Sequence, residues 1–194
     1  MIKGKFLLSY LDFYVYFVSV FIGLFILAFA MISNEQKKGN IIDPAEFIIE
    51  MVWTDGSPND VDLWVRAPDN SITYFSHKDS KVVTLDRDDL GINNSTVIDG
   101  KTYGSNTRRE VISIRKIIPG TYTVNCMMYA NRNDQKEPIK ITIRRLNPYV
   151  EVTEKTLELQ ATGEEQTAVN FDLDEQGNVS NMNDSYVSLF RVVK

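Results

Sequence analysis

The chain has 194 residues, with 26 acidic against 21 basic side chains and a formal net charge of -5. That balance supplies no positive field, and no Lys/Arg run is longer than a pair, so nucleic-acid binding is excluded as a function class. A single cysteine, Cys126, and a single histidine, His77, exclude a disulfide framework and leave a cysteine–histidine metal centre or nucleophile without its parts.

The first element in chain order is an apolar run from Phe6 to Ile32, FLLSYLDFYVYFVSVFIGLFILAFAMI, whose one carboxylate is Asp12. As a helix it would be about 40 Å long, and the uninterrupted part from Phe13 to Ile32 covers about 30 Å, the thickness of a bilayer core. Lys3 and Lys5 before the run, with Ala28-Phe29-Ala30 inside it, also suit a secretory signal. The run is far longer than the roughly 7–15 residues of a signal core, so a retained anchor is the expectation. Lys3 and Lys5 are nearly balanced by Lys37 and Lys38 on the far side, so loop charge alone does not orient the helix. A long domain following an N-terminal anchor is normally translocated, which predicts a cytoplasmic tail (1–5), a transmembrane helix (6–33), a linker (34–44) and an extracytoplasmic domain (45–194). The expected location is a bacterial-type inner membrane.

At helical spacing Asp12, Tyr16, Ser19 and Gly23 share one stripe, while Phe13, Phe17, Phe21 and Phe25 fall elsewhere. Small and hydroxylated residues let a second helix approach closely, so the stripe is predicted to meet protein and the aromatic face lipid. Asp12 has two readings. If the helix starts near Phe6, the carboxylate is intramembrane and calls for a partner; if it starts at Phe13, Asp12 is an N-cap and needs none.

Tyr10-Leu11-Asp12-Phe13, followed by the aromatic-rich run to Ala30-Met31-Ile32-Ser33, resembles the single membrane helix of the flagellar stator B subunit and, more loosely, those of the Ton and Tol energising subunits. The resemblance covers about a fifth of the chain and implies a homodimer of such helices inside a pentameric ring of a multi-span A-type partner. It further implies that Asp12 binds and releases a transported proton or sodium ion, with no resident cofactor. A desolvated carboxylate titrates upward toward neutral pH, which is what such a role requires.

Beyond the polar stretch NEQKKGN (34–40), the pattern changes to period two. Phe47, Ile49, Met51 and Trp53 alternate, as do Val61, Leu63 and Val65; Tyr122, Val124, Cys126 and Met128; Ile139, Ile141 and Ile143; and Val169, Phe171 and Leu173. Turn residues lie between them, among them Asp55-Gly56-Ser57-Pro58, Pro68-Asp69-Asn70, Pro119-Gly120 and Gln176-Gly177-Asn178. Many short strands without an amphipathic helix predict an all-β sandwich, with Cys126 as a core residue. Asp60-Val61-Asp62-Leu63-Trp64-Val65 and Pro119-Gly120-Thr121-Tyr122-Thr123-Val124 resemble the D-x-D-L-x-V and P-G-x-Y-x-V signatures of bacterial extracytoplasmic sandwich domains of unassigned function. Where that pattern has D-P-x-G, this chain has Ala67-Pro68-Asp69-Asn70. No resemblance to a peptidoglycan-binding domain accompanies it.

No nucleophile–base pair is legible, so no catalytic residue is assigned and the chain is read as a non-enzyme; His77 falls in a loop. Asp60 and Asp62 are expected to project together from the outward face of a strand, and Asp86, Asp88 and Asp89 crowd a turn. These five are the candidate metal ligands, for calcium. Asp86-Arg87-Asp88-Asp89-Leu90-Gly91 nevertheless misses the EF-hand loop at Leu90 and lacks its closing Glu, so solvated turns and cross-strand ion pairs are the main expectation. Two functions follow: a B-type subunit of an ion-driven membrane complex, its outer domain engaging an unidentified extracytoplasmic target, or a binding module for which the helix is a tether. A pilin-like reading, suggested by Gly4 before an apolar helix, fails because Ser9 stands where a glutamate is required.

Overall fold

The computed structural model describes residues 3–33, 44–92 and 95–193, and within the first of these the side chains of residues 10–29. The predicted linker, apart from Pro44, lies outside the described residues. The chain divides into two units, 1–41 and 42–194.

The first unit is helix α1, Lys3–Ser33. No proline interrupts it, and its i,i+4 phenylalanines stack along one side: the rings of Phe13 and Phe17 are 6.5 Å apart and those of Phe17 and Phe21 6.3 Å. Every described side chain of α1 is exposed. A soluble fold would bury this apolar surface, whereas Tyr10–Phe29, 20 residues, is long and apolar enough to cross a membrane. Because α1 already runs from Lys3 among the described residues, Asp12 lies about 13 Å further along the helix. The N-cap alternative is thereby overturned, since a cap must stand at the helix boundary.

The second unit is the predicted β-sandwich. In chain order its elements are β1 (Phe47–Trp53), β2 (Asp60–Arg66), β3 (Ile72–Thr73), β4 (Val83–Arg87), β5 (Ser95–Ile98), β6 (Lys101–Gly104), β7 (Arg108–Ile114), β8 (Gly120–Ala130), β9 (Glu137–Leu146), β10 (Tyr149–Leu159), β11 (Glu165–Leu173), β12 (Val179–Asn183) and the one-turn helix α2 (Phe190–Val193). One sheet has the order β10-β9-β1-β7-β4 and the other β12-β11-β8-β2-β3, with β5-β6 a separate hairpin. All the pairings are antiparallel.

Alternation builds the core. Phe47, Ile49, Met51 and Trp53 of β1 face Val61, Leu63 and Val65 of β2 and Tyr122, Val124, Cys126 and Met128 of β8, all buried in one cluster. Tyr122 stacks on Phe171 with ring centroids 5.5 Å apart, and its hydroxyl donates to the Ile118 carbonyl and accepts the Ile118 N–H, pinning the turn that enters β8. At Ala67-Pro68-Asp69-Asn70 the tight turn survives without glycine, because Asn70 adopts φ 65° and donates its N–H to the Ala67 carbonyl.

The outer face of the second sheet is covered too. Trp64, Ile72, Met127 and Leu189 form a smaller buried cluster against which Tyr74, Phe75, Val187 and Phe190 pack. The C-terminal segment, through Leu189 and Phe190, therefore closes over a face that simple alternation assigns to solvent.

Candidate functional site

Strand β3 is only two residues long and pairs with Val65 and Arg66 alone, so among the described residues the edge of β2 before Val65 has no strand partner on that side. Glu110 fills this gap. It occupies an inward position of β7 in the first sheet and accepts the Leu63 N–H of the second sheet at 2.8 Å and the Asp89 N–H at 3.3 Å. Asp62, beside Leu63, and Asp88, just past β4, converge on the same place. Asp62, Asp88 and Glu110 each bring one carboxylate oxygen to within 4.8 Å of the others.

Asp62 is 3% exposed and Glu110 1%. Asp62 Oδ2, Asp88 Oδ1 and Asp60 Oδ1 are buried without a hydrogen-bond partner. The cationic partners in place are Lys78, 2.8 Å from Asp88, and Arg132, 3.0 Å from Asp60. Burial pushes the Asp62 carboxyl up to about 8, and the nearby charges of Asp60 and Asp88 add to the shift. Burial also raises Glu110, as does the charge of Asp62, against the lowering effect of the N–H groups of Leu63 and Asp89. Asp60 is raised by burial despite its bond to Arg132.

The five metal candidates read from the sequence thus separate. Asp62 and Asp88 come together. Asp60 lies beside them, 4% exposed and tied to Arg132, so Asp60 and Asp62 are not on a solvated face as expected. Asp89 holds local structure: it accepts the N–H groups of Gly91 and Arg109 and pairs with Arg87. Asp86 faces elsewhere, bonded to the Ser113 hydroxyl and to Arg115 at 2.5 Å. Asp60, Asp86 and Asp88 each pair with a cation from another segment, as expected, whereas Asp89 is buried and pairs with Arg87 two residues away, and Asp62 has no such pair. Glu110 is not legible as a site residue in the sequence, because it is some 20 residues from the acidic turn and stands between basic and apolar residues in a stretch whose apolar alternation it interrupts.

On α1, Asp12, Tyr16, Ser19 and Gly23 are all exposed. The Ser19 hydroxyl donates back to the Val15 carbonyl at 2.8 Å, and a Cβ built on Gly23 meets nothing within 4 Å. His77 is an exposed loop residue bridging to Tyr74, and Cys126 is buried, as read from the sequence.

Fold and sites together define, among the described residues, one membrane-length apolar helix and an antiparallel β-sandwich carrying a buried carboxylate cluster. No family model matches it, and no curated protein or solved structure does either.

Proposed function

We propose that the chain is the B-type subunit of an ion-driven membrane complex, with Asp12 as the carboxylate that takes up and releases the ion and the sandwich as the domain that engages an extracytoplasmic target. The observation that supports this reading is the position of Asp12 inside α1 rather than at its end, on the stripe with Tyr16, Ser19 and Gly23. A helix-interior carboxylate within an apolar run has no capping duty, and in hydrocarbon it needs protonation, a partner helix or a wet cavity. Tyr16 supplies a hydroxyl one turn away, and Ser19 and Gly23 supply the close approach. One charge crossing 100 mV is worth about 2.3 kcal/mol, so useful work needs repeated steps against a surrounding multi-span subunit, and a pair of these helices provides two carboxylates to alternate. The orientation in this reading is N-terminus cytoplasmic.

The test is to purify the full chain from its own membrane, reconstitute whatever accompanies it into vesicles, and follow proton and sodium flux. The expected result is a copurifying multi-span subunit and a flux that Asp12→Asn abolishes while membrane insertion is retained. Copurification without such a subunit, or undiminished flux in Asp12→Asn, overturns the proposal.

One observation favours the tether reading instead: a pocket of about 390 Å³ on the sandwich, lined by Trp64, Tyr74, Phe75, Met127, Tyr129 and Phe190. Trp64 stacks on Tyr74 at 4.2 Å, a rigid apolar wall of the kind that recognises ligands. Under that reading Asp12→Asn leaves function intact and Tyr129→Ala impairs it.

A further inference from the structure

We infer that Asp62, Asp88 and Glu110 form a calcium site that fastens the two sheets of the sandwich together at one edge. Three features carry this, and none depends on the role of Asp12.

The first is donor geometry. Calcium takes carboxylate and water oxygens at about 2.3–2.6 Å, so donors on opposite sides of the ion stand about 5 Å apart, and three oxygens mutually within 4.8 Å fit around one ion. The set holds no sulfur or imidazole, which selects a hard cation over zinc or copper.

The second is vacancy of the donors themselves. Asp62 Oδ2 and Asp88 Oδ1 are buried without a hydrogen bond, the Trp64 indole N–H that acts on Asp62 from nearby likewise makes none, and Asp62 is only 3% exposed. A buried acceptor left unpaired costs free energy that a bound cation removes. Both Glu110 oxygens accept a backbone N–H, yet each carboxylate oxygen keeps a second lone pair for a metal.

The third is charge and access. Ionised, the trio carries three negative charges against one ammonium, Lys78; Asp60 adjoining it is already matched by Arg132. A divalent ion balances what remains. The Asp88 side chain is 17% exposed and lines a pocket of about 400 Å³ with Ser95, Thr96 and Tyr103, so one of the three ligand residues borders space open to solvent. The turn that carries Asp88 is fixed from behind: Gly91 has φ 70° and lies so close to the Asn59 and Pro58 carbonyls that no Cβ fits there.

The experiment uses the full chain in detergent, stripped with chelator, with calorimetric titration of calcium chloride or magnesium chloride and melting followed by tryptophan fluorescence. The expected result is one calcium per chain and a melting temperature about 5 °C higher at a calcium concentration one hundred times the dissociation constant. Magnesium at the same concentration should give less than half that shift. Asp62→Asn and Glu110→Gln should abolish the response, and Asp86→Asn should retain it. Asn is isosteric with Asp62 and replaces a buried oxygen that has no hydrogen-bond partner, so this variant should melt no lower than metal-free wild type, which separates loss of the site from failure to fold. The inference is overturned if folded wild type shows neither heat nor a melting shift, if magnesium matches calcium, or if Asp62→Asn responds as wild type does.

Discussion

Glu165 shows how much one carboxylate can organise in this molecule. It stands at the start of β11 and accepts from the Asn125 amide at 2.8 Å, the Ser188 hydroxyl at 2.7 Å, the Leu189 N–H at 2.7 Å and the Phe190 N–H at 3.1 Å. Partial burial raises its pKa, but the bonds from Ser188, Asn125, Leu189 and Phe190 outweigh this and hold it below the usual carboxylate range. The sign follows from linkage. A depressed folded pKa gives stability that is present above the unfolded value of about 4.3 and is lost as pH falls through the lower folded value. Glu165→Ala should therefore cost about 2–3 kcal/mol at pH 7 and distinctly less at pH 3, measured by urea unfolding at both. Phe190 packs edge-on to Trp64 at 6.2 Å, so the same variant should change the tryptophan emission before global unfolding. A loss of equal size at the two pH values would show that the charged carboxylate is not what holds the C-terminal segment.

Among the elements, the turn after β4 is constrained by the close approach of Gly91 to the Asn59 and Pro58 backbone. Gly91→Ala would place a methyl group against the Asn59 backbone and demand φ 70° of an L-residue. A loss of about 2–3 kcal/mol is expected in urea unfolding, while Gly100→Ala, with open space around it although φ is 76°, should cost only about 1 kcal/mol. How far the elements could be read from the sequence follows the same physics. Strands with one apolar face, such as β1, β2, β8, β9 and β11, are legible from alternation alone. β7 is not, because Arg108 and Glu110 occupy inward positions where the pattern demands apolar residues. β10 is a largely exposed sheet-edge strand, and the hairpin β5-β6 is exposed throughout, so neither shows a buried face to detect. The acidic site was half legible for a related reason: local spacing finds Asp62 and Asp88, but only the crossing of two sheets supplies Glu110. The helix was legible from its unbroken apolar run, and its described extent back to Lys3 leaves Asp12 no capping role.

At the scale of the whole sandwich, Cys126 is the natural reporter of how the sheets open. It sits mid-strand in β8, paired across to Leu63 of β2 and Gln166 of β11, and burial pushes its thiol up to about 12. Nucleophilic attack needs both access and a thiolate, and the folded protein denies both. A local opening of an edge strand does not reach a residue flanked by strands on both sides, so a maleimide at pH 8 should label Cys126 only through global unfolding. The labelling midpoint in urea should then coincide with the tryptophan fluorescence midpoint. Calcium at one hundred times its dissociation constant should slow labelling about 100-fold in the regime where reclosing outpaces reaction, because an ion held between Asp62 of one sheet and Glu110 of the other is released only when the sheets part. Labelling of the native protein at the rate of a free thiol would mean that β8 is reached without global opening. An unchanged rate in saturating calcium would mean that the ion does not couple to sheet separation, even if it binds.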